Sequence, residues 1–225
     1  MLLNPKNVKA WYRAASACLA LDKLAEAQDA CTSGLQFDAS NAALQTLSAK
    51  VAARRDHLAA LEQARRARAE REASERATLS LALRQRNVVV KKTDSPPEME
   101  DANIALSDSN DANSELAFPV LFLYPLAGQT DFVKAVGEQE SLSQHLEYIL
   151  PVPWDEAQEY KLEDVECYME TTAGGLIKAG KKLGLIKLLG SGKLEIVDGL
   201  VRVFVVPKAK ASEWIGQFKL RRGKQ

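Results

Sequence analysis

Leu3-Asn4-Pro5-Lys6-Asn7 stands at the start of the chain, and a degraded copy, Phe37-Asp38-Ala39-Ser40-Asn41, follows 34 positions later, counted from Pro5 to Ala39. A fixed period of that length marks stacked helix-turn-helix units. The residues between the two copies fall into two helical stretches, the first carrying Trp11, Ala14 and Ala15 and the second Ala27, Cys31 and Gly34. Ala15, Ala27 and Gly34 are small where the paired helices must approach closely, and Trp11 takes the large apolar position of the unit.

This is the pattern of a tetratricopeptide repeat, an architecture that builds protein-binding surfaces. Leu2-Leu3-Asn4-Pro5 reads as the last turn of a preceding repeat. Because about three such units are normally needed to bury both faces of each, the sequence is expected to be the carboxyl-terminal part of a longer protein or a shortened product. Asn41 can cap a further helix from Ala42 to about Arg86, a run without Gly or Pro in which Leu44, Leu47, Val51, Leu58 and Leu61 keep helical spacing. Farther along, Arg65-Arg66-Ala67-Arg68-Ala69-Glu70-Arg71-Glu72 offers almost no apolar face and is expected to project into solvent.

A chain of 225 residues with 46% hydrophobic content holds one or two globular domains. No apolar run approaches the ~20 residues of a membrane span, and Met1-Leu2-Leu3 is interrupted at once by Asn4, Pro5 and Lys6, which argues against a secretory signal. The three cysteines are odd in number and not closely paired, so buried reduced thiols and a cytoplasmic location, with the nucleus as a second compartment, are expected. A formal net charge of zero conceals segregation: residues 54–86 are arginine-rich, 94–115 are acidic, and the last 50 or so are basic.

From Lys91 to Leu116 the periodicity fails, and Ser95-Pro96-Pro97-Glu98 opens a stretch of Asp, Asn and Ser. With few large apolar side chains to offset ~1 to 2 kcal/mol of ordering entropy per residue, it is expected to be a disordered tether. Order returns at Phe118-Pro119-Val120-Leu121-Phe122-Leu123-Tyr124-Pro125, which reads as a buried central strand. Thr130-Asp131-Phe132-Val133 is expected to begin a helix, and Leu142, Leu146, Ile149 and Leu150 mark another that Pro151 ends. Val165, Cys167 and Met169 alternate with Glu166, Tyr168 and Glu170, the period of a strand with one wet face. A short helix is expected near 183–189. Asp198-Gly199 separates two strand-forming runs as a hairpin turn would, and Ser212 is placed to cap a last helix carrying Trp214, Ile215 and Phe218.

Taken in order, these pieces resemble the tetratricopeptide repeat protein four family of co-chaperones, which includes the yeast cyclophilin-seven suppressor. Asn7-Val8-Lys9-Ala10-Trp11-Tyr12-Arg13 is similar to the third repeat of that family. Phe118 to Pro125, Gly128-Gln129-Thr130-Asp131-Phe132, Pro153-Trp154-Asp155 and Val197 to Pro207 are similar to its carboxyl-terminal wheel domain. The resemblance implies an α+β fold class with four parts: a partial repeat array (1–41), a long charged helix (42–90), an acidic disordered linker (91–116) and an α+β wheel domain (117–225). It also implies an adaptor for heat-shock protein 90, with heat-shock protein 70 as a second partner, and a client in the translation machinery, elongation factor two among them. The first and second repeats of the family, with the rest of its peptide clamp, have no counterpart in this sequence.

In that family the third repeat supplies a Lys-x-x-x-Arg pair for the carboxyl terminus of the chaperone, and Lys9 and Arg13 match it. Residues four apart share a helix face, so two cations can converge on one acidic peptide; on spacing alone the pair can equally be a solvated face. Trp154 is read either as a core plug or, with Asp155, as an exposed client contact. Gly190-Ser191-Gly192-Lys193 lacks both the Gly six positions before the Lys and the Ser or Thr after it that a phosphate loop requires, with Lys187 and Leu194 in those places. His57 and His145 have no Asp or Cys at ligand spacing, so no metal, cofactor or catalytic triad is expected, and no enzyme. Lys178, Lys181, Lys182, Lys187, Lys193, Arg221, Arg222 and Lys224 can form a basic surface. With the arginine-rich helix they support an alternative reading, an RNA- or ribosome-associated scaffold.

Overall fold

The computed structural model of the chain describes residues 6–99 and 102–222. The Leu3-Asn4-Pro5 copy, the turn before it, Lys224 and the side chain of Arg222 lie outside the described residues. The chain divides into two compact units, Met1–Glu72 and Ala73–Gln225, and the division falls within a long helix.

The first unit contains α1 (Val8–Ala20), α2 (Leu24–Phe37) and the beginning of α3 (Ala42–Gln85). Asn7 caps α1 by accepting from the Ala10 N–H at 3.1 Å, and Asn41 caps α3 by accepting from the Leu44 N–H at 3.1 Å. Ala15, Ala30, Cys31, Leu44 and Leu47 form the core, with Trp11 packed against it. Gly34 is required by close approach: a Cβ there would stand 2.7 Å from Leu44 Cδ1 and 2.9 Å from Trp11 Cβ. Between α1 and α2, Asp22 takes two parallel hydrogen bonds from Arg54, at 2.9 and 2.8 Å, and this contact holds its carboxyl below the usual range.

Residues 63–74 of α3 are exposed throughout. Glu62 with Arg66 at 2.9 Å and Arg68 with Glu72 at 2.8 Å, both four apart, support this stretch in place of a core. Such pairs contribute a few tenths of a kcal/mol each. The expected solvent-borne helix is therefore present.

The second unit is built on a six-stranded sheet. Its central path runs β2 (Ala105–Leu106), β3 (Leu116–Tyr124), β8 (Val201–Pro207), β5 (Val165–Glu170) and β6 (Leu176–Ala179), and β4 (Gln129–Gly137) also pairs with β3. A separate parallel pair joins β1 (Val89–Lys91) to β7 (Glu195–Val197). One face of the sheet is covered by α4 (Leu142–Ile149), α5 (Leu185–Leu189) and the end of α3, with Phe118, Phe122, Leu146, Cys167, Leu185 and Val203 in the core between them. The other face meets α6 (Lys208–Arg222) through Tyr168, Phe204, Trp214 and Phe218. Cys18, Cys31 and Cys167 are free thiols, and burial pushes Cys167 up to about 12.

Several expectations are corrected. Thr130–Val133 lies in β4, because the apolar strand β3 recruits an antiparallel neighbour across a turn with Gly128 at φ +64°. Segment 102–116 is ordered, not a disordered tether. Its polar residues fold it locally, Asp108 and Asp111 accepting from the N–H groups two residues on at 2.9 and 2.8 Å. Ala102 is buried, β2 pairs with β3, and Arg86 binds the carbonyls of Ala112 and Ser114 at 2.8 and 2.7 Å. Asp198 and Gly199 do form a turn with both φ positive, closed by a single bridge between Val197 and Leu200. The two strands then part, because β1 captures β7 while β8 enters the main sheet between β3 and β5. Helix α6 begins at Lys208, so Ser212 lies within it, and the face of β5 expected to be wet is covered where Trp214 meets Tyr168 at 5.8 Å between ring centroids.

Gly34→Ala is expected to cost about 1 to 3 kcal/mol by overpacking the first unit, read as an earlier loss of helical circular dichroism on heating. A fragment of residues 117–225 lacks Arg86, β1 and β2 and is expected to melt broadly and without cooperativity, whereas residues 73–225 should melt in one sharp transition.

Candidate functional site

Two places hold the residues singled out by sequence. On α1, Lys9 and Arg13 are exposed one turn apart, with Tyr12, which is 40% exposed, beside them. Neither cation makes an ion pair or hydrogen bond among the described residues. Both are therefore available to an acidic ligand, and a peptide with closely spaced carboxylates suits two donors on one helix face.

In the second unit, Trp154 is half-buried in a mutual edge-on cluster, with ring centroids 5.1 Å from Tyr124 and 5.0 Å from Tyr160, and the tyrosines 5.4 Å apart. Such contacts add to the apolar burial of the rings. Asp155 folds the following loop back by accepting from the N–H groups of Glu159 at 3.1 Å and Tyr160 at 2.7 Å. The Tyr160 hydroxyl is buried without a hydrogen-bond partner among the described residues. Burial first, then the charges of Glu159 and Asp155, pushes its phenol up to about 12. Tyr124 is likewise raised by burial and next by Asp131, although neither its hydroxyl nor Asp131 Oδ2 completes a hydrogen bond.

Two of the basic residues singled out by sequence are engaged within the fold. Lys178 pairs with Glu166 at 2.5 Å, and Lys181 turns inward to the carbonyls of Leu162 and Val165; Lys182, Lys187 and Lys193 remain exposed. On α3, Arg65, Arg66, Arg68, Arg71 and Arg76 are interleaved with Glu62, Glu70, Glu72 and Glu75, five cations against four anions. Gly190 has a packing role, since a Cβ would stand 2.7 Å from the Arg86 carbonyl oxygen, and Asn87 donates to the Gly190 carbonyl at 3.0 Å. His145 pairs with Glu140 at 2.9 Å. Among the described residues no three His, Cys, Asp or Glu side chains form a metal-binding group, and no helix is long and apolar enough to cross a membrane.

Sequence reasoning missed Arg86, whose guanidinium binds Glu138 at 2.5 and 3.0 Å as well as the two carbonyls named above. Its place at the end of the helical run, just before Asn87, was visible, but nothing local distinguished Glu138 from other carboxylates.

The order of strands and helices around this sheet is shared with known proteins. Residues 108–218 match the Cns1/TTC4 Wheel domain. The solved structure of the Hsp90 co-chaperone Cns1 from Saccharomyces cerevisiae (delta69) superposes with a TM-score of 0.86 at 32% identity, over 96% of this chain and 72% of that one. This chain belongs to the Cns1/TTC4 family. The Hsp70/Hsp90 co-chaperone cns1 of Schizosaccharomyces pombe is 35% identical over 95% of this chain and 60% of its own length. The Saccharomyces cerevisiae counterpart is 32% identical over 97% and 59%. The chain thus spans about 60% of the length of these curated relatives. Within the Cns1/TTC4 fold, the wheel match begins at residue 108 while the sheet unit also takes in the end of α3 and β1.

Removing the ring wedged between two tyrosines, Trp154→Ala is expected to cost about 3 kcal/mol in denaturant unfolding of the chain. Tyr160→Phe deletes an orphan hydroxyl, so stability should be unchanged or rise by up to about 1 kcal/mol.

Proposed function

We propose that the chain is a non-enzymatic co-chaperone adaptor of the cytoplasm, with the nucleus as a second compartment. Its repeat unit engages the carboxyl-terminal peptide of heat-shock protein 90, with heat-shock protein 70 as a second partner. Its wheel unit contacts the client at the loop that Trp154 and Asp155 organise. Membership of a family whose relatives carry the name Hsp70/Hsp90 co-chaperone supports this reading. The observation that carries it is the pair of exposed cations, Lys9 and Arg13, one turn apart on α1 and unpaired among the described residues. The client is proposed to be a component of the translation machinery, elongation factor two in the first instance.

The chaperone peptide ends in carboxylates, and charge-assisted hydrogen bonds from a lysine and an arginine four residues apart would grip them from one side. One side of a clamp binds weakly. Titration calorimetry with the chaperone's carboxyl-terminal peptide is expected to show feeble binding to this chain and stronger binding when two further repeats of the same type precede it. In that longer protein, Lys9→Ala or Arg13→Ala should cost about 1.5 to 3 kcal/mol. An unchanged affinity in both variants removes these residues from the site.

A further inference from the structure

A cleft of about 510 Å³ opens beside the loop that Asp155 folds. Val152, Tyr160 and Leu162 supply an apolar floor, and the rim carries Glu147, Asp155 and Glu163 against a single base, Lys161. Glu147 and Glu163 are exposed, and their carboxylates make no ion pair or hydrogen bond among the described residues. Nearby cations are already engaged: Lys210 pairs with Glu159 at 2.6 Å, while Lys181 and Lys208 donate inward to main-chain carbonyls. Next to Glu147 on α4, Tyr148 is 92% exposed, a ring face on which a cation can rest.

From this geometry we infer that the cleft is a docking site for an extended segment of a partner polypeptide in which basic residues alternate with aliphatic ones. Alternate side chains of an extended chain point to opposite sides, so aliphatic groups can enter the floor while the intervening cations meet the acidic rim. The volume lies within the range of pre-formed binding clefts, about 300 to 1,000 Å³. A rim of net negative charge steers cationic partners and repels nucleic-acid or lipid phosphates. The inference deepens the client-contact half of the reading above and rests on it.

The test is a titration of the isotope-labelled full chain with an amidated nonapeptide alternating lysine and leucine, followed by amide chemical shifts. Perturbations are expected in residues 147–152 and 158–163, with no response to a glutamate-leucine peptide of the same length. Glu147→Lys combined with Glu163→Lys should retain the melting temperature and weaken binding at least tenfold. Perturbations spread over the surface, or equal affinity in the charge-reversed chain, would overturn the proposal. So would shifts in the same residues that depend on protein concentration alone, which would assign the cleft to a second copy. Peptide binding that persists in a Lys9→Ala, Arg13→Ala chain supports the cleft as a site independent of the chaperone contact. Failure of the chaperone titration leaves that result standing.

Discussion

The second unit depends on one arginine. Arg86 leaves the end of α3 and reaches Glu138, which is 5% exposed, while its remaining donors take the carbonyls of Ala112 and Ser114. A charge this far from water is tolerated only with its partner in place, and removing either partner from such a pair costs about 3 to 5 kcal/mol. The same side chain therefore joins three stretches distant in sequence: the helix end, the turns of 107–115, and the junction between β4 and α4. Asn87 donates to the Gly190 carbonyl, and the close approach of the Arg86 carbonyl is what forbids a side chain at Gly190.

Farther back along α3 the source of stability changes. The two units have cores of their own, and between them residues 63–74 of the helix bury nothing and rely on pairs of charges one turn apart. Arg65, Arg66 and Arg68 in this run are thus already paired with glutamates. Lys9 and Arg13 differ in having no such partners. The contrast, more than the count of cations, is what directs attention to α1.

Trp154 combines a packing role with a place at the start of the loop beside the cleft. Its ring closes an aromatic cluster with Tyr124 and Tyr160, a packing role, yet the loop it anchors forms one wall of the acidic cleft. Asp155 acts similarly: its carboxylate holds two backbone N–H groups and still contributes negative charge to the rim. Support of a surface and presentation of it are here the work of adjacent residues.

What the sequence determined by itself is what local chemistry controls. The repeat period, the helix caps Asn7 and Asn41, the small residue at Gly34, the apolar strand β3 and the Asp198-Gly199 turn are all written within a few residues of where they act. Where partners lie far apart in the chain, the tertiary structure decided. The order of 102–116 depends on Arg86 and on pairing with β3; the conversion of Thr130–Val133 to strand depends on the neighbour that β3 requires; and β7 leaves its apparent hairpin because β1, more than a hundred residues earlier, offers it an edge. That Lys9 and Arg13 share one helix face could be told from their spacing, since a helix turn is a local distance. The cleft beside Asp155 could not, because its floor and rim are gathered from the end of α4 and from a loop whose path is set by hydrogen bonds and ring packing that no local pattern encodes.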